Sequence, residues 1–245
     1  MLKGYRFRPG WITTLATVAL LPVLIGLGFW QLDRAEQKTA IRDQYLERGR
    51  LEPVDLNRQT LDARAMDFRN AVARGRYLPG FTIYLDNKVL DGTPGYQVLT
   101  PLAIQGTERV VLVNRGWTAW GQTRQELPRV DTPDGPVEVS GRLRAPPEDY
   151  FTLGDEAGET EFQRRWQNLD LERYRRVTGL AVATLVLQLD SGGRGGEGLV
   201  QQWPEYSDIW IDRHKGYAVQ WFALALTLVV LYVVLNLTKR SKDSG

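Results

Sequence analysis

The chain of 245 residues contains no cysteine and only one histidine, and these shortages exclude several kinds of chemistry. Without cysteine there is no disulfide, no thiolate metal site and no cysteine nucleophile. With His214 as the only histidine, one chain cannot form a two-histidine metal site, and any Ser-His-Asp triad would have to use this residue.

Charge is missing from two long stretches. No Asp, Glu, Lys, Arg or His occurs in residues 9–32 or in residues 216–238, which are runs of 24 and 23 residues. The mean hydropathy of -0.31 looks ordinary only because it averages these runs with a hydrophilic remainder. About 20 apolar residues in a helix cross the roughly 30 Å hydrocarbon core of a bilayer. The sequence therefore predicts transmembrane helices at residues 11–30 and 217–237.

The two short tails, residues 1–10 and 238–245, are basic. Because Lys and Arg are retained on the cytoplasmic side, both tails are predicted to be cytoplasmic and residues 31–216 to form a periplasmic domain. Without the six tail bases and the one tail acid, 25 basic and 28 acidic residues remain, and this slightly acidic balance argues against a nucleic-acid partner. The charged tail residues are Lys3, Arg6, Arg8, Lys239, Arg240, Lys242 and Asp243.

The setting we expect is a bacterial cytoplasmic (inner) membrane, crossed twice by the chain. A cleaved signal peptide is the alternative for the first apolar run. We favour a retained helix because the run is longer than the roughly 7–15 residues of a signal-peptide core.

The domain between the helices has the pattern of an antiparallel β structure. Short segments with strand-like alternation are separated by turn signals such as Asp91-Gly92 and Pro94-Gly95. The expected fold class is therefore α+β, with two transmembrane helices flanking an antiparallel β-rich domain that is a meander or a small barrel. The predicted strands are residues 72–77, 81–85, 95–104, 109–113, 137–143 and 182–189.

Two further segments read as helical, and one acidic segment reads as loop. Residues 31–50 continue the first helix into water, and residues 162–178 form an internal helix. The acidic residues near position 155 match no calcium loop and are interpreted as a solvated loop rather than a metal site. They are Asp155, Glu156, Glu159 and Glu161.

His214 starts a stripe of residues on one face of the second predicted span. At helical spacing, His214, Tyr217, Ala218 and Trp221 share this face at the exported membrane surface. The helix N-terminus and the flanking basic residues disfavour a protonated imidazole, and the neutral imidazole is the form that binds metals. The small residue Ala218 between two aromatic ones would admit a flat macrocycle, with Arg213 or Lys215 reaching the carboxylates of that macrocycle. Equally, aromatic and basic residues gather at bilayer interfaces simply as anchors, so both interpretations stay open.

Five motifs, in order along the chain, resemble those of the surfeit locus protein 1 family, the cytochrome c oxidase assembly factors called Shy in yeast. Residues 212–222, Asp-Arg-His-Lys-Gly-Tyr-Ala-Val-Gln-Trp-Phe, resemble the family signature HxxYAxxWF, and residues 28–34, Gly-Phe-Trp-Gln-Leu-Asp-Arg, resemble GxWQLxR. Residues 94–96, 100–102 and 113–117 are similar to its GY, TPL and VNRGW elements. Where the family often has Asn before the histidine, this chain has Arg213.

The resemblance implies an accessory protein, not an enzyme, that binds haem a and assists its delivery to the main subunit of cytochrome c oxidase. It implies that His214 ligates the haem iron, and because the chain lacks cysteine the haem would be held noncovalently. The implied partners are the haem-bearing oxidase subunit, membrane lipid and, as a further candidate, the haem a synthesis machinery. A homo-oligomer in which two chains share one haem stays open.

Other candidate haem-binding residues lie around His214 and at the end of the first span. The residues at the end of the first span would lie level with His214 if the two helices pair. For them, both interfacial anchoring and a haem-pocket role stay open. These candidates are Arg213, Tyr217 and Trp221 on the second span, and Trp30, Gln31 and Arg34 at the end of the first.

Arg115 and Trp117 in the β-rich domain also have two interpretations. A guanidinium can clamp a haem propionate while an indole stacks on the ring. Alternatively, Gly116 marks a bulge or tight bend whose neighbours merely pack and pair, and we favour this structural role.

Two other functions remain to be weighed. A haem-independent scaffold would hold the immature oxidase subunit through its helices, where Gly26, Gly28 and the Ala223-Leu-Ala225 surface permit close approach. An enzyme or sensor is disfavoured because the sequence has no recognisable triad, two-metal cluster or phosphate loop.

Overall fold

The structure, a computed structural model, describes residues 5–59, 62–121, 126–146, 161–203 and 208–239. It divides into two compact units, one of residues 1–43 with 205–245 and one of residues 44–204. The described helices are α1 (Trp11–Gly49), α2 (Ala63–Met66), α3 (Leu171–Thr178) and α4 (Asp208–Leu235), with a 3-10 turn at Pro79–Phe81. The described strands are β1 (Tyr5–Phe7), β2 (Val54–Asp55), β3 (Asn70–Tyr77), β4 (Ile83–Leu90), β5 (Thr93–Ile104), β6 (Val110–Ala119), β7 (Pro136–Arg144), β8 (Arg165–Trp166), β9 (Val182–Leu189) and β10 (Leu237–Lys239).

Helices α1 and α4 are long and apolar enough to cross a membrane. Only 6% and 11% of the residues in their most apolar stretches are buried within the protein, so neither is the core helix of a globular domain. Most of each run that lacks charge lies in one of these helices, and α1 continues to Gly49, as predicted from the pattern of residues 31–50. The two helices are consistent with membrane association.

The two long helices pair through a seam in which buried and half-buried residues recur at alternating intervals of three and four. This spacing is typical of coiled coils, where one face of each helix meets its partner. Gly28 leaves room for the aromatic ring of Phe222, since a Cβ at position 28 would lie 2.6 Å from that ring. The seam residues are Thr14, Thr17, Leu21, Leu24, Gly28, Gln31 and Ala35 in α1, and Ile211, His214, Ala218, Trp221, Ala225, Leu228 and Tyr232 in α4.

The buried Asn236 side chain joins the end of α4 to the start of α1. Its Oδ1 accepts from the backbone N–H of Gly10 at 2.7 Å, and its Nδ2 donates to the carbonyl of Tyr232 at 2.7 Å. The hydroxyls of Thr14 and Tyr232 lie 3.0 Å apart, and β1 pairs antiparallel with β10 beside them. Helix ends leave backbone groups without intrahelical partners, and here one amide satisfies a group at each end.

Five strands of the second unit close into a small barrel. Strand β3 pairs with β7, β7 with β9, β9 with β6, β6 with β5, and β5 returns to β3. Side chains that alternate along these strands fill the interior, because successive residues of a strand point to opposite faces. The buried interior residues are Val54, Leu56, Ala71, Ala73, Tyr77, Leu102, Ile104, Val111, Val113, Val137, Val139, Leu143, Leu185, Leu187 and Leu189.

A second apolar cluster covers the outside of the barrel, so β6 and β9 are buried on both faces. Val110 and Leu112 of β6 and Val186 of β9 belong to this outer cluster, together with Trp166 and Tyr174. Tyr174 lies on α3, and its hydroxyl donates to the carbonyl of Phe81 at 2.7 Å. The barrel is one of the two architectures that the spacing of the strands predicts.

The expectation of a purely antiparallel domain is wrong. Strands β2 and β3, β4 and β8, and β6 and β9 pair in parallel, so the sheet is mixed. Alternation of apolar residues reports which face of a strand is buried, not the direction of its neighbour, and a parallel pair needs a long crossover connection. More than 60 residues separate β6 from β9.

Two predicted helix boundaries also differ from the structure. The internal helix covers only Leu171–Thr178, because the Asp170 side chain caps its N-terminus by accepting from the backbone N–H of Arg173 at 2.9 Å. Residues 165–166, predicted to be helical, form β8 instead. Helix α4 begins at Asp208, nine residues before the predicted span. Asp155, Glu156 and Glu159 of the acidic loop lie outside the described residues.

Replacing Gly28 with Leu should force the two long helices apart. The new side chain would overlap the Phe222 ring, and overpacking of this kind costs about 1–3 kcal/mol. Gly26→Leu is the matched control, since a Cβ there meets nothing within 4 Å. Thermal unfolding in detergent micelles should show a lower Tm for Gly28→Leu and little change for Gly26→Leu. Equal melting of the two variants would contradict the described seam.

Candidate functional site

The pairing of α1 and α4 brings His214 together with Gln31. The Nδ1 atom of His214 lies 2.7 Å from Oε1 of Gln31, and both side chains are half-buried in the seam. An amide oxygen only accepts hydrogen bonds, so Nδ1 must carry the proton and donate. The lone pair of the neutral ring then lies on Nε2, which is the atom left to bind a metal.

A pocket of about 320 Å³ lies on the same helix pair and shares Gln31 with this hydrogen bond. Tyr217 and Trp221 line it, as do Gln220 and Leu224, which were not predicted. All four follow from one helical face, because residues three, four and seven positions apart stack above one another. The spacing of Gln220 and Leu224 from Tyr217 was therefore the signal that could have found them.

The remaining candidates at the helix ends, Arg213, Arg34 and Trp30, are exposed and lie outside the pocket. Arg213 lies over the ring of Trp210, with its Cζ 4.9 Å from the ring centroid. Arg34 donates to Oε1 of Gln37 at 2.7 Å, and Trp30 is 51% exposed. None of these three residues lines the pocket. Arg213 and Arg34 are nevertheless exposed and close in sequence to the pocket residues Tyr217 and Gln31, so they remain available to an anionic ligand.

Helix α4 begins six residues before His214, so the helix N-terminus lies farther from the imidazole than the sequence predicts. His214 is the seventh residue of α4, and the influence of the helix dipole falls off within the first turn. Asp208 occupies that first turn and pairs with Arg42 of α1, an ion pair that sequence spacing did not indicate. The hydrogen bond to Gln31 favours, of the two neutral tautomers of the ring, the one that is protonated at Nδ1.

Arg115 belongs to the other compact unit, where its guanidinium is buried and engaged by protein groups. It donates to the carbonyls of Gly195 and Asp131 and, at 2.7 Å, to the hydroxyl of Thr132. Burial lowers the pKa of Arg115, which nevertheless stays cationic because arginine titrates far above neutral pH. These contacts support the structural role of Arg115 rather than a clamp on a propionate.

A β-bulge produces this inward placement. Val98 of β5 pairs with Gly116 and Leu99 pairs with Asn114, so Arg115 has no partner across the ladder. Gly116 has a φ of 140°, in the region that favours glycine, and a Cβ there would lie 2.8 Å from Cβ of Leu199. The bulge predicted at Gly116 is confirmed.

Trp117 is half-buried and is held by contacts within the barrel unit. Its Nε1 donates to the carbonyl of Lys88 at 2.7 Å, and its backbone exchanges two hydrogen bonds of 2.8 Å with Val200. The indole is thus fixed by local contacts that the sequence motif alone did not reveal.

The residues at the helix pair fit a haem by the chemistry of their donors. In its neutral form protonated at Nδ1, His214 would offer Nε2 to an iron, and its Nδ1 has the partner typical of metal-bound histidines. Tyr217 and Trp221 of the same helix line the pocket, whereas His214 itself does not. The pocket volume is at the lower end of the range of about 300–1,000 Å³ for small-molecule sites. Within the described part of the chain, no cluster of three or more His, Cys, Asp or Glu residues could hold a bare metal ion.

Comparison with known proteins agrees with the motifs. The model of the SURF1 family matches residues 18–226. A SURF1-like protein of Rickettsia bellii is 27% identical over 241 residues, 95% of this chain and 92% of the relative. Surfeit locus protein 1 of Takifugu rubripes is 25% identical over 219 residues, 81% and 86% of the two chains. An uncharacterized SURF1-like protein of Mycobacterium tuberculosis is 28% identical over 207 residues, 80% and 74%.

Replacing Arg115 with Met should destabilise the barrel unit by at least about 2 kcal/mol, because the carbonyls of Gly195 and Asp131 would lose their buried donor. Arg74→Met is the control, since it removes an exposed ion pair with Glu138. Denaturant unfolding followed by tryptophan fluorescence measures both. Loss of haem binding by Arg115→Met without loss of stability would instead support the propionate clamp.

Proposed function

The chain belongs to the SURF1 family, and from this premise we propose that it is an assembly factor for haem-copper cytochrome c oxidase that binds haem a noncovalently and assists its insertion into the main oxidase subunit. The observation that carries the haem part is the 2.7 Å contact between His214 and Gln31, which leaves Nε2 of the only histidine free to ligate iron. The assembly role rests on the family resemblance.

Different side chains of the helix pair would hold different parts of the haem. His214 would hold the iron through its ring nitrogen, while Tyr217 and Trp221 would offer aromatic surface that excludes water from the bound group. The exposed Arg213 and Arg34 would attract the propionates. When bound, haem would supply a redox-active iron, whose potential depends on its protein ligand and on the hydrogen bonds around it.

The membrane location fits this task. Gln31 lies at one end of the uncharged run of α1, and His214 lies just before the uncharged run of α4. The pair would therefore sit at the membrane boundary on the exported side, where an apolar macrocycle with charged propionates is best accommodated. Both tails would be cytoplasmic by their positive charge, with the barrel in the periplasm.

The alternative function is a scaffold that holds the immature oxidase subunit without contacting haem. Gly26 and Ala223 are exposed and would let a partner helix approach closely. Gly28 and Ala225, by contrast, are buried between α1 and α4 and are not available to another protein. The small-residue surface for a scaffold is thus narrower than the sequence indicates.

His214→Ala should abolish haem binding, because no other histidine is present to ligate iron. The protein purified from cells that make haem a should show a Soret band, and the variant should lose it. Asp212→Ala, which changes an exposed neighbour, is the control and should keep the band. A colourless wild-type protein from this background would overturn the haem proposal.

The haem content of the oxidase distinguishes the scaffold alternative from the haem-binding function. If the haem proposal holds, the oxidase of a His214→Ala strain should contain less haem a than that of the wild-type strain. The variant should still co-purify with the main oxidase subunit. Normal haem content of the oxidase in that strain would favour the scaffold.

The absence of cysteine allows the topology to be tested with single introduced thiols. We expect a membrane-impermeant maleimide to label Ser140→Cys, an exposed position of β7, in spheroplasts. Ser241→Cys in the C-terminal tail should react only after the membrane is permeabilised. Labelling of Ser241→Cys in intact spheroplasts would contradict the proposed orientation.

A further inference from the structure

We infer that Gln31 is a positioning residue for His214: by accepting a hydrogen bond from Nδ1–H it fixes the ring as the tautomer whose Nε2 can bind a ligand. The inference rests on the proposed function for its ligand, but its geometry is independent of that ligand. It depends on the 2.7 Å separation of Nδ1 and Oε1 and on the position of both residues in one seam.

The two tautomers of a neutral histidine are close in energy, so a free ring would populate both and could offer either nitrogen. With Oε1 of Gln31 turned towards the ring, this choice is removed, because only the tautomer protonated at Nδ1 can then donate the hydrogen bond. Partners of this kind also hold the plane of the ring. Their loss typically weakens metal binding by about 10- to 100-fold.

The chemical nature of the partner matters as well. A carboxylate partner makes a histidine a more basic ligand, whereas the amide of Gln31 carries no charge and polarises the ring less. His214 therefore gives the lone pair of Nε2 to a metal less strongly than a histidine paired with a carboxylate does. A weaker donor suits a protein that must release its haem to another subunit.

A purely structural role is the competing explanation. Polar residues in the seam of a coiled coil can fix the register of the helices without any further purpose. The two roles differ in what an apolar replacement of similar shape would do. Gln31→Met keeps a long unbranched side chain in the seam but removes the acceptor.

The sole histidine makes the test unambiguous. In protein purified without a histidine tag and labelled with ring ¹⁵N-histidine, all imidazole signals come from His214. At a pH where the ring is neutral, the haem-free wild type should show one dominant tautomer protonated at Nδ1. Gln31→Met should show a mixture while melting near the wild-type temperature. Gln44→Ala, an exposed glutamine of the same helix 13 residues away, should behave as wild type.

Haem titration gives the second measurement. Gln31→Met should bind haem a about 10- to 100-fold more weakly, and Gln31→Glu should retain it with a lower reduction potential and slower dissociation than wild type. A wild-type ring protonated at Nε2 would overturn the inference, and so would a Gln31→Met variant with unchanged tautomer and haem affinity. If the wild type binds no haem but shows the predicted tautomer shift, the proposed function fails while the positioning of His214 by Gln31 stands.

Discussion

The packing of α1 against α4 is the constraint on which the candidate site depends. Two polar contacts bracket the apolar part of the pair: Gln31 with His214 at one end, and Asn236 with Gly10 at the other. The 21 residues from Gly10 to Gln31 span about 32 Å at 1.5 Å per residue, close to the hydrocarbon thickness of a bilayer. A shift of one helical turn would separate both pairs at once, so the register that places the ends of the helices also assembles the site.

The two compact units use their polar residues for different purposes. In the helix pair, one hydrogen bond joins Nδ1 of His214 to Oε1 of Gln31 and leaves Nε2 of the ring available for a ligand. In the barrel, Arg115 is buried, and a buried guanidinium is tolerated only when its donors are satisfied. Carbonyls and hydroxyls of the neighbouring segments meet that requirement, which explains why a motif that resembles a ligand clamp is part of the internal structure.

Periodicity predicted the elements well where burial is one-sided and the run is long. Six of the strands and both long helices lie where alternation and missing charge indicated. The two-residue strands β2 and β8 carry too few residues to show a period, and residues 165–166 were absorbed into a predicted helix. Parallel pairing between β6 and β9 was missed because the direction of a neighbour leaves no trace in the alternation of a single strand.

By itself the sequence determined that the chain has two uncharged spans, that any haem must be noncovalent, and that His214 is the only imidazole able to bind it. It also carried the motifs that identify the family. Only the tertiary structure decided which of the remaining candidates act with His214. Gln31 and His214 are 183 residues apart, and their contact arises from the register of two helices. Arg115 faces inward because of a bulge whose position depends on the pairing of β5 with β6. Both outcomes are set by long-range packing, which local spacing in a chain does not encode.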